Sequence, residues 1–281
     1  MGASKRKKAA GFPEEAIVAW EARDCVDFAV ALARETGWLL HVDWCAPASG
    51  STPPKISEAE MVPLRVYVGD DRDRIFDPRG TRSIVEFSTS IIGKLARDRR
   101  PPNVQSYGVS TRTYDEAKLA NMPLRFPFNE QLVSDAAAAI RGNQAFLGAI
   151  PQRAEPRLPA KIAADFSWGN CVIYAQAMED ITGLEATALC ADQIHPNWSA
   201  ANIGADGYVH SLIVRPDGMG EDSWGRQPIA YIAARFGVTA WHFERPLHLK
   251  IVDRLKRNSP VLWQERYDLA ASFIRKFDDP R

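Results

Sequence analysis

The chain has no excess of either charge: 35 Lys and Arg balance 35 Asp and Glu. Proteins that grip a nucleic-acid duplex or an anionic membrane carry a basic surplus, so neither is expected as the main partner. No window reaches the roughly twenty consecutive apolar residues of a membrane-crossing helix, and no signal peptide is visible. There are only 4 cysteines, Cys25, Cys45, Cys171 and Cys190, and no C-x-x-C pair. Such spacing reads neither as a disulfide framework nor as a zinc site, so no metal and no cofactor are expected. A reducing cytoplasm is the simplest compartment, although export by a dedicated secretion machine leaves the same signature. The remainder is ordinary globular composition, 46% apolar and 25% charged over 281 residues, enough for two domains.

The stretch Asp165 to Gly183, DFSWGNCVIYAQAMEDITG, organises the second half. Apolar positions at Val172, Tyr174, Ala175, Met178 and Ile181 predict a helix, Cys171 stands at its start, and Gly183 falls at a C-cap position. A cysteine there feels the positive end of the helix dipole, which favours thiolate. Gly207 to Val214 then reads as a strand carrying His210, and turn residues lead to Glu221-Asp222-Ser-Trp-Gly225. Cysteine on a helix start, histidine on a strand and carboxylate on the next strand make the order of a Cys-His-Asp site. The thiol needs a base, and the imidazole needs a third group to hold its orientation.

The same layout occurs earlier. Cys25 to Gly37 overlays Cys171 to Gly183 without a gap, with Cys, Val, two Ala, Thr and Gly coinciding. At nearly the same offset, Leu64 to Val68 overlays Val209 to Ile213, and Asp77-Pro-Arg-Gly80 overlays Asp222-Ser-Trp-Gly225. A weak repeat over helix, strand and D-x-x-G predicts two copies of one domain. Where the second copy has His210, the first has Arg65, and a guanidinium stays protonated and cannot act as a base. The first copy, with Cys25, Arg65 and Asp77, is therefore expected to be degenerate. His41 is an imperfect substitute, more readily an ordinary strand histidine.

Along the chain, residues 1–12 read as a disordered basic tail and 13–100 as the degenerate copy, with a strand near Trp38–Trp44 and helical spacing from Thr81 to Arg97. Residues 101–159 read as a connector with one helix, Glu130 to Arg141. Residues 160–281 hold the second copy, including a polar loop at Asp192–Gly207 with Trp198, where this layout brings substrate, and one closing helix after 246. Trp198 reads equally as a pocket wall or a loop anchor, and Trp168 and Trp224 as core aromatics or as walls that dry the site.

The residues G-x-C-x-x-(aromatic)-A at 169–175, T-G-L-x-A at 182–186, the strand V-H-S-L-I-V and D-x-W-G resemble the papain-like cysteine fold, in its transglutaminase-like and bacterial papain-fold toxin branches. The resemblance implies an α+β fold, each copy a Cys-bearing helix packed on an antiparallel sheet that carries His or Arg and Asp. It implies Cys171 as nucleophile, His210 as base and Asp222 as its orienter. The family's oxyanion-hole Gln before the cysteine is missing from residues 163–169, so the donors are expected to be the Cys171 amide and a Trp168 or Asn170 group. The implied activity is acyl transfer on a protein amide, by hydrolysis or deamidation, with the first copy a pseudo-enzyme aiding binding, and a bacterial effector or toxin role fits the resemblance. Two other readings stay open: a non-catalytic interaction scaffold, and an unrelated enzyme in which Cys171 and His210 are structural.

Overall fold

Gly37 and Gly183 do the same work in two places. Each ends a helix in the left-handed region, at φ 70° and 72°, where only glycine is free of strain, and turns the chain into a strand. The computed structural model describes residues 11–47, 56–70, 74–100, 106–153, 158–195 and 203–277. The chain divides into two compact units, Met1–Gln152 and Arg153–Arg281. Most of the expected basic tail, and Trp198, lie outside the described residues.

In the first unit, α1 (Glu14–Ala22) and α2 (Val26–Thr36) precede β1 (Leu39–Pro47), β2 (Val62–Gly69), β3 (Arg74–Asp77) and β4 (Gly80–Ser83). Next come α3 (Ile84–Phe87), a π-turn at Ser88–Ile92, and α4 (Gly93–Arg99), then β5 (Tyr107–Tyr114), α5 (Glu116–Leu119), α6 (Glu130–Gly142) and α7 (Gln144–Gly148). The strands form one antiparallel sheet in the order β4-β3-β2-β1-β5. Alternation along the strands serves two cores. Val42, Val66 and Val68 pack with Val30, Leu32, Ala136 and Ile140 of α2 and α6, while Tyr67 and Ile75 pack with Phe87, Ile92 and Ala96.

Two expectations change here. The segment 101–159 is not a connector: its 107–114 stretch is β5, paired along β1 from Leu40↔Tyr114 to Pro47↔Tyr107, and α6 packs in the α2 core. The mostly polar sequence YGVSTRTY gives no buried-strand signal, and pairing with β1 makes it a strand. Thr81–Ser83 is also extended, closing the β3–β4 hairpin. The helix starts only at Ile84, where the Ser83 side chain accepts the Glu86 amide.

The second unit runs α8 (Ala160–Ser167), α9 (Cys171–Thr182), β6 (Ala186–Ile194), β7 (Tyr208–Val214), β8 (Met219–Asp222), β9 (Gly225–Pro228), α10 (Ile229–Arg235), β10 (Val238–Glu244), α11 (Arg245–Asn258) and α12 (Pro260–Phe277). Its antiparallel sheet has the order β10-β6-β7-β8-β9. Read from the opposite edge, this is the strand order of the first sheet, with the strand latest in sequence again pairing beside the earliest. Cys171, Val172 and Ile173 of α9 pack with Leu247, Ile251 and Trp263 of α11 and α12. Leu189, Leu212 and Val238 pack with Ile232, Ala233 and Phe236 in and after α10. The expected single closing helix is two, broken at Ser259, because Pro260 disfavours a helical residue before it and offers no N–H.

The whole is thus a mixed α+β chain with two antiparallel five-stranded sheets.

Candidate active site

Cys171 is the first residue of α9, and no side chain caps that helix end. The free leading amides and the helix dipole are therefore available at the thiol. Asn170 sets this start: its carbonyl accepts the Ile173 and Tyr174 amides at 3.0 and 3.1 Å. Its side-chain amide donates to the Asp165 carbonyl at 2.9 Å, so it ties α8 to α9. Gly169, at φ 81°, supplies the turn between them.

β7 carries His210 and β8 ends on Asp222. His210 Nε2 lies 3.0 Å from Asp222 Oδ2. The other ring nitrogen, Nδ1, is buried without a hydrogen-bond partner, and the Cys171 thiol interacts with the ring. Cys171 is 7% exposed, His210 0% and Asp222 3%. Burial alone drives the thiol pKa up, but the His210 charge, the Tyr208 hydroxyl and the Ser211 backbone N–H outweigh it and hold the thiol below its ordinary value. Burial pushes His210 down, yet the Cys171 charge and Asp222 carry it up to about 9. Burial pushes Asp222 up, and Arg235, His210 and the Trp224 amide reverse this and hold it well below the usual carboxylate range. The three groups thus favour thiolate, imidazolium and carboxylate together.

Several residues at the site carry no sequence signal. Arg235, at the end of α10, donates from Nη1 to Asp222 Oδ2 at 2.6 Å. The Trp224 amide donates to Asp222 Oδ1 at 2.9 Å. A hydroxyl chain runs back from the sulfur: Cys171 Sγ to Tyr208 Oη at 3.3 Å, Tyr208 Oη to Ser211 Oγ at 3.1 Å, and Ser211 Oγ to His248 Nδ1 at 3.0 Å. Burial lowers His248 to about 4 and keeps it neutral, so its Nδ1–H can start a line of donors that ends at the thiolate. Phe236 lies over the His210 ring, centroids 4.6 Å apart, and Trp168 meets Phe236 edge-on at 5.0 Å.

The expected aromatic walls therefore separate. Trp168 is 47% exposed and meets, edge-on, the Phe236 ring that covers His210. Trp224 is buried, with the Arg153 and Arg235 guanidiniums 5.0 and 5.7 Å from its ring centroid, and it seals the Asp222 end.

In the first unit Arg65 Nη1 donates to Cys25 Sγ at 2.8 Å and lies 3.6 Å from Glu21. Asp77 Oδ1 accepts the Arg79 amide at 2.9 Å, just as Asp222 accepts that of Trp224. Cys25 precedes α2 in a left-handed conformation, φ 59°, where Cys171 is helical. Burial pushes the Cys25 thiol up to about 12, which Arg65 offsets only in part. His41 stacks on Tyr67 at 5.1 Å, and burial holds it near 4. We therefore expect a small alkylating reagent at neutral pH to leave Cys25 unmodified while Cys171 reacts; peptide mapping by mass spectrometry reads this, and equal labelling of the two would contradict it.

Set against protein-family models, curated proteins and solved structures, the chain matches none.

Proposed function

We propose that the second unit is a cysteine-dependent acyl-transfer enzyme acting on protein amides, as a hydrolase or deamidase. The observation that carries this reading is the arrangement of the buried triad: Cys171 at the uncapped start of α9, His210 buried on β7, and Asp222, fixed by Arg235, on the His210 Nε2. Such a set lowers the barrier for attack on a carbonyl. His210 accepts the Cys171 proton. The thiolate forms a C–S bond to the amide carbon while the carbonyl π electrons move to oxygen, where the Cys171 amide can donate. The tetrahedral species collapses, His210 returns its proton to the leaving nitrogen, and the C–N bond breaks. Water, deprotonated by His210, then cleaves the thioester and regenerates the thiol. With a glutamine side chain as substrate the nitrogen leaves as ammonia; with a peptide bond it leaves as an amine.

In this reading the two units descend from one papain-like domain. The shared strand order and the matched D-x-x-G amide contacts support it. The first unit, with Arg65 on Cys25, is a pseudo-enzyme that aids binding. One observation favours the rival reading, a non-catalytic protein-binding scaffold: His210 has no exposed surface.

The test is a peptide and protein substrate screen read by mass spectrometry, which detects both chain cleavage and the mass change of deamidation. Cys171→Ala is expected to remove all turnover. His210→Ala is expected to reduce it by at least ~10²-fold, within the range of a general base. Turnover that persists in Cys171→Ala overturns the assignment.

A further inference from the structure

β10 lies on β6 with His242 opposite Cys190 and Glu244 opposite Ala188. Direct partners in an antiparallel pair project to the same face, as do residues two apart on one strand. This register gathers Cys190, His242 and Glu244, and one donor atom from each lies within 4.8 Å of the other two. The set is a sulfur, an imidazole nitrogen and a carboxylate oxygen. Soft thiolate with imidazole suits zinc and its neighbours, and excludes magnesium and calcium, which take oxygen ligands.

A further observation points to a cation. His242 Nδ1 lies 2.8 Å from Asp192 Oδ1. A carboxylate on one ring nitrogen fixes the tautomer and leaves Nε2 with its lone pair outward, the usual support of a metal-bound histidine. Cys190 is fully buried, and a bound cation would favour its thiolate.

We propose that Cys190, His242 and Glu244 bind one divalent ion of the zinc class, with Asp192 orienting His242 and a water completing the tetrahedron. The place suits a structural pin. β10 is an edge strand whose register on β6 slips between Val238 and Ala240 and again between Ala240 and Trp241. A metal joining Cys190 of β6 to His242 and Glu244 of β10 fixes the register just beyond those slips. No spacing motif announces it, because the ligands come from strands far apart in sequence. The proposal is independent of the acyl-transfer reading, since Cys171 takes no part.

The test uses the full chain, stripped with a chelator and titrated with cobalt(II), a spectroscopic stand-in for zinc. One equivalent is expected to bind and to give a thiolate-to-cobalt charge-transfer band. His242→Ala, whose wild-type side chain is 52% exposed and so removable without loss of core, is expected to lose the band. Asp192→Asn is expected to weaken binding by about 10–100-fold. Cys190→Ser is expected to lose the charge-transfer band, and Cys171→Ala to keep it. No band in the parent chain, a band that survives His242→Ala, or a band that disappears with Cys171→Ala each overturns the proposal.

Discussion

Iodoacetamide is expected to alkylate Cys171 at pH 7 about 10-fold faster than an ordinary thiol, and His210→Ala to abolish the advantage. A free thiol is about 1% ionised two units below its pKa, so full ionisation offers at most ~100-fold. A thiolate of lower basicity is also a weaker nucleophile, which returns part of that gain. The cause is in the geometry. Burial opposes ionisation of Cys171, and the positive His210, the Tyr208 hydroxyl and the Ser211 amide overcome it. In the mutant the main opposing charge is gone, burial is left against two neutral donors, and the thiol pKa rises above its ordinary value. The pH profile separates the cases. His210 is raised to about 9, so its charge is present below that pH and lost above it. The parent profile is expected to rise early, hold a plateau while the ion pair persists, and rise again near pH 9 as the thiolate loses its partner. The His210→Ala profile is expected to show one late step. A single ordinary step, identical in both proteins, removes the basis for an acyl-transfer enzyme. Because Cys171 is 7% exposed, the reagent has to be small.

The residues of this site differ in how far they could be read from the chain itself. Cys171 and His210 sit on elements whose apolar patterns are local: a helix closed by Gly183, and a strand of Val209, Leu212 and Ile213. Asp222 follows in a turn of readable chemistry. Arg235, Phe236 and His248 lie at an α10 terminus, just after it, and on α11, and nothing in their own segments marks them. They matter only because α10 and α11 pack on opposite faces of the sheet, α10 bringing Arg235 to Asp222 and α11 bringing His248 to Ser211. The edge strands β5 and β10 were illegible for the same reason. YGVSTRTY and VTAWHFE have mixed patterns, and each becomes a strand by pairing with β1 or β6. Arg65 was legible as a residue that cannot be a base. Its hydrogen bond to Cys25, and the left-handed backbone that places the thiol there, depend on tertiary structure.

Arg235→Met is expected to destabilise the second unit by about 3–5 kcal/mol, the cost of leaving a buried charge without its partner. Asp222 is 3% exposed and accepts from His210, from the Trp224 amide and from Arg235, which is equally buried. A buried ion pair is weak evidence of net stability, because desolvation offsets its attraction. Breaking one side is a different matter: the carboxylate keeps its desolvation cost and loses its closest cation. The double variant Arg235→Met with Asp222→Asn removes both charges, so it is expected to be less destabilised than the two single changes added together, with a coupling of about 1–3 kcal/mol. Urea unfolding of the full chain measures this, with hydrogen exchange on β7 and β8 reporting the second unit. The pH dependence gives an independent reading. Asp222 titrates below its unfolded value of 3.8, so the stability it contributes is complete above that value and is lost as pH falls through the folded one. Without Arg235, burial is opposed only by His210 and the Trp224 amide, so the folded value rises and the acid loss of stability begins at higher pH. An unchanged acid limb in Arg235→Met would mean that His210 and the Trp224 amide suffice to hold the carboxylate ionised. If the limb moves, Arg235 is the group that keeps Asp222 charged, and through Asp222 it keeps His210 charged beside Cys171.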